Sequence, residues 1–225
     1  MIHRLDKAIP PEIADCDEFY CNIRFIAAKP EVVNILEIGS SDGRGSTKAF
    51  IEGMVQNPNK CNLFCLESSQ GRFQLLRDRY KNIPQVQCYN YCSVPLGQYM
   101  SMDDIREFHR NTKTNLNQYP IADVLGWYHE ELNYIQDNHI PDNGIEIIKK
   151  GNGIDTFDAV LIDGSAFTGE AEIQKIYGAK YIMMDDIIDI KNYNNWQMLE
   201  MHQNYTRIKF NKCYRNGYAI FRLNN

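Results

Sequence analysis

The chain has 225 residues, enough to bury a core without disulfide or metal staples and short for two full domains, so it reads as one domain spanning residues 1–225. Hydrophobic residues make up 44% and charged residues 24%, which excludes a disordered or fibrous chain. The formal charge of −5, from 24 Lys+Arg against 29 Asp+Glu, argues against a nucleic-acid partner, which would ask for a basic footprint.

The N-terminal stretch MIHRLDKAIPPEIADCDEF has no apolar signal core, and no run approaches the length of a membrane span, so a cytoplasmic protein is expected. The cysteines number seven, an odd count, and several sit in apolar, strand-like runs such as CNLFCLE and VQCYNYC, where the thiol acts as a small hydrophobe. Cys61/Cys65 and Cys88/Cys92 have C-x₃-C spacing. In an extended strand that spacing holds the side chains about 13 Å apart, too far to share a metal. Neither a zinc site nor a disulfide framework is expected, which fits a reducing compartment.

In chain order, residues 11–28 have helical character. Val32 to Gly39 (VVNILEIG) is a β-branched apolar run ending in glycine, as expected of a buried parallel strand. A helix should follow from Gly45. The next strand is Cys61 to Glu67 and the next helix covers QGRFQLLRDRY. A third strand is expected over Val86 to Val94. Phe157 to Asp163 reads as the fourth strand, a helix covers about 168–176, and Ala179 to Asp186 is the fifth strand. A helix over about 193–202 precedes a terminal antiparallel pair, YTRIKF and GYAIFRL, joined through a turn containing Asn216-Gly217.

This alternation predicts an α/β fold: a Rossmann-like, doubly wound sheet, mostly parallel, that binds its ligand at the carboxyl ends of the strands. Residues 96–153 interrupt the rhythm. They contain a helix (MDDIREFHRN), a polar stretch, an aromatic helical segment (ADVLGWYHEELNYIQ) and loop residues. An insertion of this kind near the strand ends reads as a substrate cap.

The segment Leu36-Glu37-Ile38-Gly39-Ser40-Ser41-Asp42-Gly43-Arg44-Gly45-Ser46-Thr47 carries the chemistry. Its spacing, G-x-x-x-G-x-G, departs from the G-x-G-x-x-G of nicotinamide-binding folds. An acid two residues before the first glycine suits a ligand with cationic groups better than a pyrophosphate. E-x-G-x-x-x-G-x-G after the first strand resembles motif I of class I S-adenosylmethionine-dependent methyltransferases. Glu67 ends the second strand 30 residues after Glu37. That resemblance implies a cofactor site built from Glu37, Gly39, Ser40, Ser41, Gly43, Ser46, Thr47 and Ser68, with Glu67 at the ribose. Ser93 falls in the adenine neighbourhood, where the family often has an acid, and Asp163 completes the cofactor set.

Nucleic-acid and protein amine methyltransferases of this class often carry an Asp/Asn-Pro-Pro-Tyr motif after the fourth strand. Here Leu161-Ile162-Asp163-Gly164-Ser165-Ala166-Phe167 stands instead. It is similar to the L-I-D-G segment of small-molecule O-methyltransferases, and closest to a group found among glycan-assembly genes of bacteria and large DNA viruses. Lys191-Asn192-Tyr193 and Arg215-Asn216-Gly217-Tyr218-Ala219-Ile220-Phe221 fit that group as well.

The resemblance implies O-methylation of a sugar or glycan hydroxyl by S-adenosylmethionine. The acceptor would then be a small molecule or glycan, not a nucleic acid. In metal-dependent relatives, acids at the ends of the fourth and fifth strands hold Mg²⁺. Asp163, Asp185 and Asp186 fall at those positions, and their hard oxygens suit Mg²⁺ or Mn²⁺. Two departures stand against a metal. Ala166 replaces the His usual in the sugar enzymes, and Tyr177-Gly178-Ala179 replaces a Pro-Gly-Gly turn. Without a metal, Asp163 is the expected base, Lys191 a base or electrostatic stabiliser, and His129 a further candidate in the Trp127-Tyr128-His129-Glu130-Glu131 run. A metal-dependent enzyme for phenolic or natural-product acceptors, and a non-catalytic cofactor-binding partner, remain open alternatives.

Overall fold

A computed structural model describes residues 3–224. In chain order the elements are α1 (Glu18–Ala27), β1 (Asn34–Ile38), α2 (Ser46–Gln56), β2 (Asn62–Leu66), α3 (Gln70–Tyr80), β3 (Val86–Tyr89), α4 (Met102–Asn111) and α5 (Ile121–Asp137). They continue with α6 (Gly144–Asn152), β4 (Ala159–Ile162), α7 (Gly169–Ile176), β5 (Tyr181–Asp185), α8 (Tyr193–Met201), β6 (Tyr205–Asn211) and β7 (Tyr218–Leu223). The strands form one sheet in the order β3-β2-β1-β4-β5-β7-β6. β1 to β5 are parallel, and β7 runs antiparallel to both β5 and β6. The strand order reverses at β1 and β4, which opens a crevice at their carboxyl ends.

The central strands are apolar on both faces because both are covered. Leu36, Phe64, Val160, Ile162 and Met184 pack on one side with Ile145, Ile148 and Ile173 of α6 and α7. Ile35, Leu63, Leu161 and Met183 pack on the other with Ile23, Phe50 and Leu76 of α1, α2 and α3. Asp158, just before β4, ties three strands together at their start. Its Oδ2 accepts from the N–H groups of Val33 and Asn34 at 2.9 and 2.8 Å, and Lys180 Nζ lies 2.7 Å from Oδ1.

The mostly parallel sheet and its antiparallel terminal pair are as expected from the sequence, with three local differences. The first helix starts only at Glu18, where Asp17 Oδ1 caps the N–H of Phe19 at 2.7 Å. Pro10 and Pro11 lack the N–H groups a helix needs, and residues 12–16 run through bends and a turn instead. The third strand ends at Tyr89, because Asn90 turns away and Nδ2 donates to the carbonyls of Glu67 and Ser68. Cys88 and Cys92 therefore do not share a strand, and Cys65 instead sits beside Cys88 across β2 and β3. Residues 144–152, expected as loop, form α6. Gly144, Gly151 and Gly153 mask the helical signal. Ile145 and Ile148, spaced i,i+3, supply the tertiary anchor that outweighs those glycines.

Helices α4 and α5 make a separate apolar cluster. Ile105, Phe108, Val124 and Tyr128 pack against Phe167 and Ile190, which follow β4 and β5. The insertion thus stands over the carboxyl ends of those strands. Among the described residues no helix is long and apolar enough to cross a membrane.

Candidate active site

The loop after β1 is held by backbone contacts that only glycine permits. Gly39 has φ +88°, and a Cβ there would lie 2.1 Å from the carbonyl oxygen of Asp163. The N–H groups of Gly39 and Ser40 both donate to the Leu66 carbonyl at 3.0 Å, which locks the loop to the end of β2. Gly43 has φ +80° and passes beneath the Tyr80 ring, whose hydroxyl donates to the Gly43 carbonyl at 2.6 Å. The glycine spacing thus reflects two close approaches, one to the β4 end and one to α3.

A cavity of about 370 Å³ opens at this point, within the range usual for small-ligand sites. Gly39, Ser40, Ser41 and Ser46 line it from the loop, and Glu67 and Ser68 from the end of β2. Ser93 and Asp163 complete the contribution from β3 and β4. Glu67 is 6% exposed. Its Oε2 accepts from the Ser41 N–H at 2.7 Å and its Oε1 from the Ser69 N–H at 2.7 Å. A carboxylate offers about four acceptor directions, so two remain for a ligand diol. Burial pushes the Glu67 carboxyl up, against the opposing pull of those N–H groups and Arg72.

Glu37, Gly43 and Thr47, expected at the ligand, do not line the cavity. Glu37 is wholly buried beneath the loop and accepts from Thr47 Oγ1 at 2.7 Å, while its Oε1 has no partner. Burial raises its pKa against the hydroxyls of Ser46, Thr47 and Ser40. These residues brace the loop from behind.

On the other side of the cavity, Lys191 Nζ lies 2.8 Å from Asp163 Oδ1 and 2.6 Å from Asp186 Oδ2. Burial pushes the Asp163 carboxyl up to about 6, with the Lys191 charge opposing and the Asp186 charge adding to the rise. For Asp186, burial is outweighed by Lys191, and its pKa falls below the usual range. Burial disfavours the Lys191 ammonium, but Asp163, Asp186 and Asp185 more than compensate and raise its pKa. Lys191 is therefore held as an ammonium between the two carboxylates.

The three acids expected at a metal do not converge. Asp185 ends β5, and Asp186 takes a left-handed conformation at φ +54°, so the two carboxylates diverge. Asp185 Oδ2 accepts from Arg215 Nη1 at 2.8 Å, and Arg215 also pairs with Asp17. Asp163 and Asp186 face the cavity, Asp185 does not, and the space between the first two holds an ammonium. Among the described residues no three His, Cys, Asp or Glu side chains are placed to bind a metal. The donor set does not fit Mg²⁺ or Mn²⁺.

His129 is exposed and lies away from the cavity. Two residues along a helix is a rotation of about 200°, so Glu131 faces inward where His129 faces out. Glu131 lines the cavity, and burial pushes its carboxyl up to about 7. Tyr99 Oη donates to it at 3.3 Å. Its signal in the sequence is an acid within the buried stripe Val124, Tyr128, Ile135, at i+3 from Tyr128 and i−4 from Ile135. Residues 9–13 also border the cavity. The N-terminal segment is tied down by Asp6, which accepts from Tyr134 Oη at 2.5 Å and the Gly71 N–H at 2.9 Å.

Among known proteins, no family model and no curated sequence matches this chain. Solved structures do. The O-methyltransferase from Bacillus cereus, in complex with SAH, aligns over 96% of this chain and 84% of its own, with 12% identity and a TM-score of 0.53. The fold is that of class I methyltransferases. The Streptomyces achromogenes O-methyltransferase involved in tomaymycin synthesis, solved with SAM, matches over 96% of this chain and 83% of its own at 12% identity, with a TM-score of 0.55. An SAH-bound methyltransferase from Podospora anserina matches over 90% and 76% at 13% identity, with a TM-score of 0.51. The cavity described above occupies the β1–β4 crevice of this class I methyltransferase fold.

Proposed function

We propose that the chain is an S-adenosylmethionine-dependent O-methyltransferase whose acceptor is a hydroxyl of a sugar or glycan. The observation that carries this reading is one continuous cavity. It joins the Gly39–Ser41 loop and Glu67 at one end to the Asp163–Lys191 pair at the other. S-adenosylmethionine bound there would supply an electrophilic methyl group on a sulfonium. Glu67 would accept from the ribose hydroxyls through lone pairs left free by Ser41 and Ser69. Ser93 and Tyr91 border the side assigned to the adenine.

Asp163 is the proposed base. Its Oδ1 is held by Lys191, so Oδ2 is the atom that would take the acceptor's proton as the oxygen attacks. Ser165, Glu131 and Tyr99 add hydrogen-bonding groups beside it, a lining suited to a polyhydroxylated acceptor. Segment 96–153 would choose that acceptor through α4 and α5, which rest on the ends of β4 and β5. The tomaymycin-pathway neighbour supports a natural-product hydroxyl as the second reading.

The test is transfer of labelled methyl from S-adenosylmethionine to matched panels of glycans and phenols. Turnover on glycans is expected. Turnover confined to phenols would move the acceptor to the second reading, and calorimetric absence of S-adenosylmethionine binding would overturn the assignment.

A further inference from the structure

In the reading above, an acid–cation–acid arrangement lies where a hydroxyl must be activated, and its cation belongs to the chain. Lys191 Nζ bridges Asp163 and Asp186 with its side chain only 9% exposed. The loop that carries it is clamped from two sides. Asn192, fully buried, donates through Nδ2 to the carbonyls of Ile162 at 3.2 Å and Asp185 at 2.7 Å, pinning the loop to the ends of β4 and β5. On the opposite side α7 begins so close that a Cβ on Gly169 would stand 1.9 Å from the Lys191 carbonyl oxygen. Asp185, the third acid of the expected metal set, is committed to Arg215. A divalent ion would have to displace a buried ammonium that two carboxylates hold, at the cost of leaving that charge unpaired.

We propose that Lys191 is a resident cation that takes the place of a divalent metal in this site. Two of its N–H groups orient Asp163 and Asp186, and the third is left for the acceptor oxygen. When that oxygen bonds to the methyl carbon, the carbon–sulfur bond breaks with its electron pair remaining on sulfur. The hydroxyl proton passes to Asp163 and Lys191 keeps its own. The ammonium stabilises the negative charge developing on oxygen, as a fixed donor aimed at the transition state does elsewhere. Removing it leaves two facing carboxylates across a cation-sized gap, so the lysine-free variant should acquire affinity for divalent ions.

The experiment titrates Mn²⁺, followed by the electron-paramagnetic-resonance signal of the free ion, into the wild-type chain, Lys191→Ala and Lys191→Met. Methyl transfer is assayed before and after treatment with chelator. The wild type should leave the Mn²⁺ signal unchanged and keep full turnover after chelation. Lys191→Ala should bind one Mn²⁺, and that binding should vanish when Asp163→Asn or Asp186→Asn is added. In both lysine variants kcat should fall about 100-fold with KM little changed.

Stoichiometric Mn²⁺ binding by the wild type that Asp163→Asn abolishes, or chelator-sensitive turnover, would overturn the proposal. So would a folded Lys191→Ala that binds no Mn²⁺. If Lys191→Ala fails to fold, the wild-type Mn²⁺ titration and the kcat of Lys191→Met, which fills the gap without a charge, still decide. The methyltransferase reading fails separately, by absence of S-adenosylmethionine binding, whereas the wild-type Mn²⁺ titration requires no turnover.

Discussion

Gly39 and Asp163 meet backbone to backbone: a Cβ on Gly39 would fall 2.1 Å from the Asp163 carbonyl oxygen and 2.5 Å from its carbonyl carbon. Neither atom belongs to a flexible side chain, so neither can yield without moving the end of β4. The glycine that opens the loop therefore also sets the depth of the cavity and the height of the proposed base.

Gly39→Ala should destabilise the chain by about 3 kcal/mol, since it adds a steric clash to a left-handed backbone unfavourable for alanine. Urea unfolding measures this. S-adenosylmethionine affinity should fall with it, because Gly39 and Ser40 can no longer both reach the Leu66 carbonyl. A variant as stable as the wild type would show that the loop does not pack as described.

Glu67→Gln should weaken S-adenosylmethionine binding by about 10- to 100-fold in a calorimetric titration. The amide keeps one acceptor oxygen and turns its NH₂ toward an N–H donor, of Ser41 or Ser69. The loop then loses a brace and the ligand an acceptor. Unchanged affinity in Glu67→Ala would remove Glu67 from the cofactor site.

The rate of methyl transfer should rise with pH through about 6 and then level off. Burial pushes the Asp163 carboxyl up to about 6, and only its ionised form can receive a proton. Because Asp163 titrates beside Lys191 and Asp186, the limb reports the group of three and not one residue. Asp163→Asn should abolish that limb and cut kcat by about 10²- to 10⁴-fold. A profile flat from pH 5 to 8 would assign the proton to another group.

Glu131 should make the fold less stable as pH rises. Burial lifts its carboxyl to about 7, so the folded chain holds a proton that the unfolded chain has already released at pH 5. The stabilisation is complete below the usual glutamate range and is lost as pH rises toward 7. Urea unfolding at pH 5 and at pH 8 should differ less in Glu131→Gln than in the wild type. If Glu131 also contacts the acceptor, the variant raises the acceptor KM while S-adenosylmethionine affinity stays as it was.

The sequence alone was enough to read the sheet, because its strands carry their burial on the surface of the text. VVNILEIG, CNLFCLE, FDAVLID and AKYIMMDD are apolar on both faces, and each is followed by a helix that QGRFQLLRDRY and its counterparts spell almost to the residue. The glycine loop was legible because close backbone approach demands glycine at fixed spacing, and Glu67 was reached only through the resemblance that places an acid at the end of the second strand. What the sequence could not rank was the direction of each charged side chain. Asp185 and Asp186 are neighbours in the chain, yet one left-handed residue sends the first to Arg215 and the second to Lys191. Glu37 carries the motif but lies under the loop, and His129 looked chemical where Glu131 faces the cavity. Local pattern determines which segments are buried, because burial depends on periodicity along one element. Which carboxylate meets which cation is decided by loops that bring distant elements together, and only the tertiary structure holds that information.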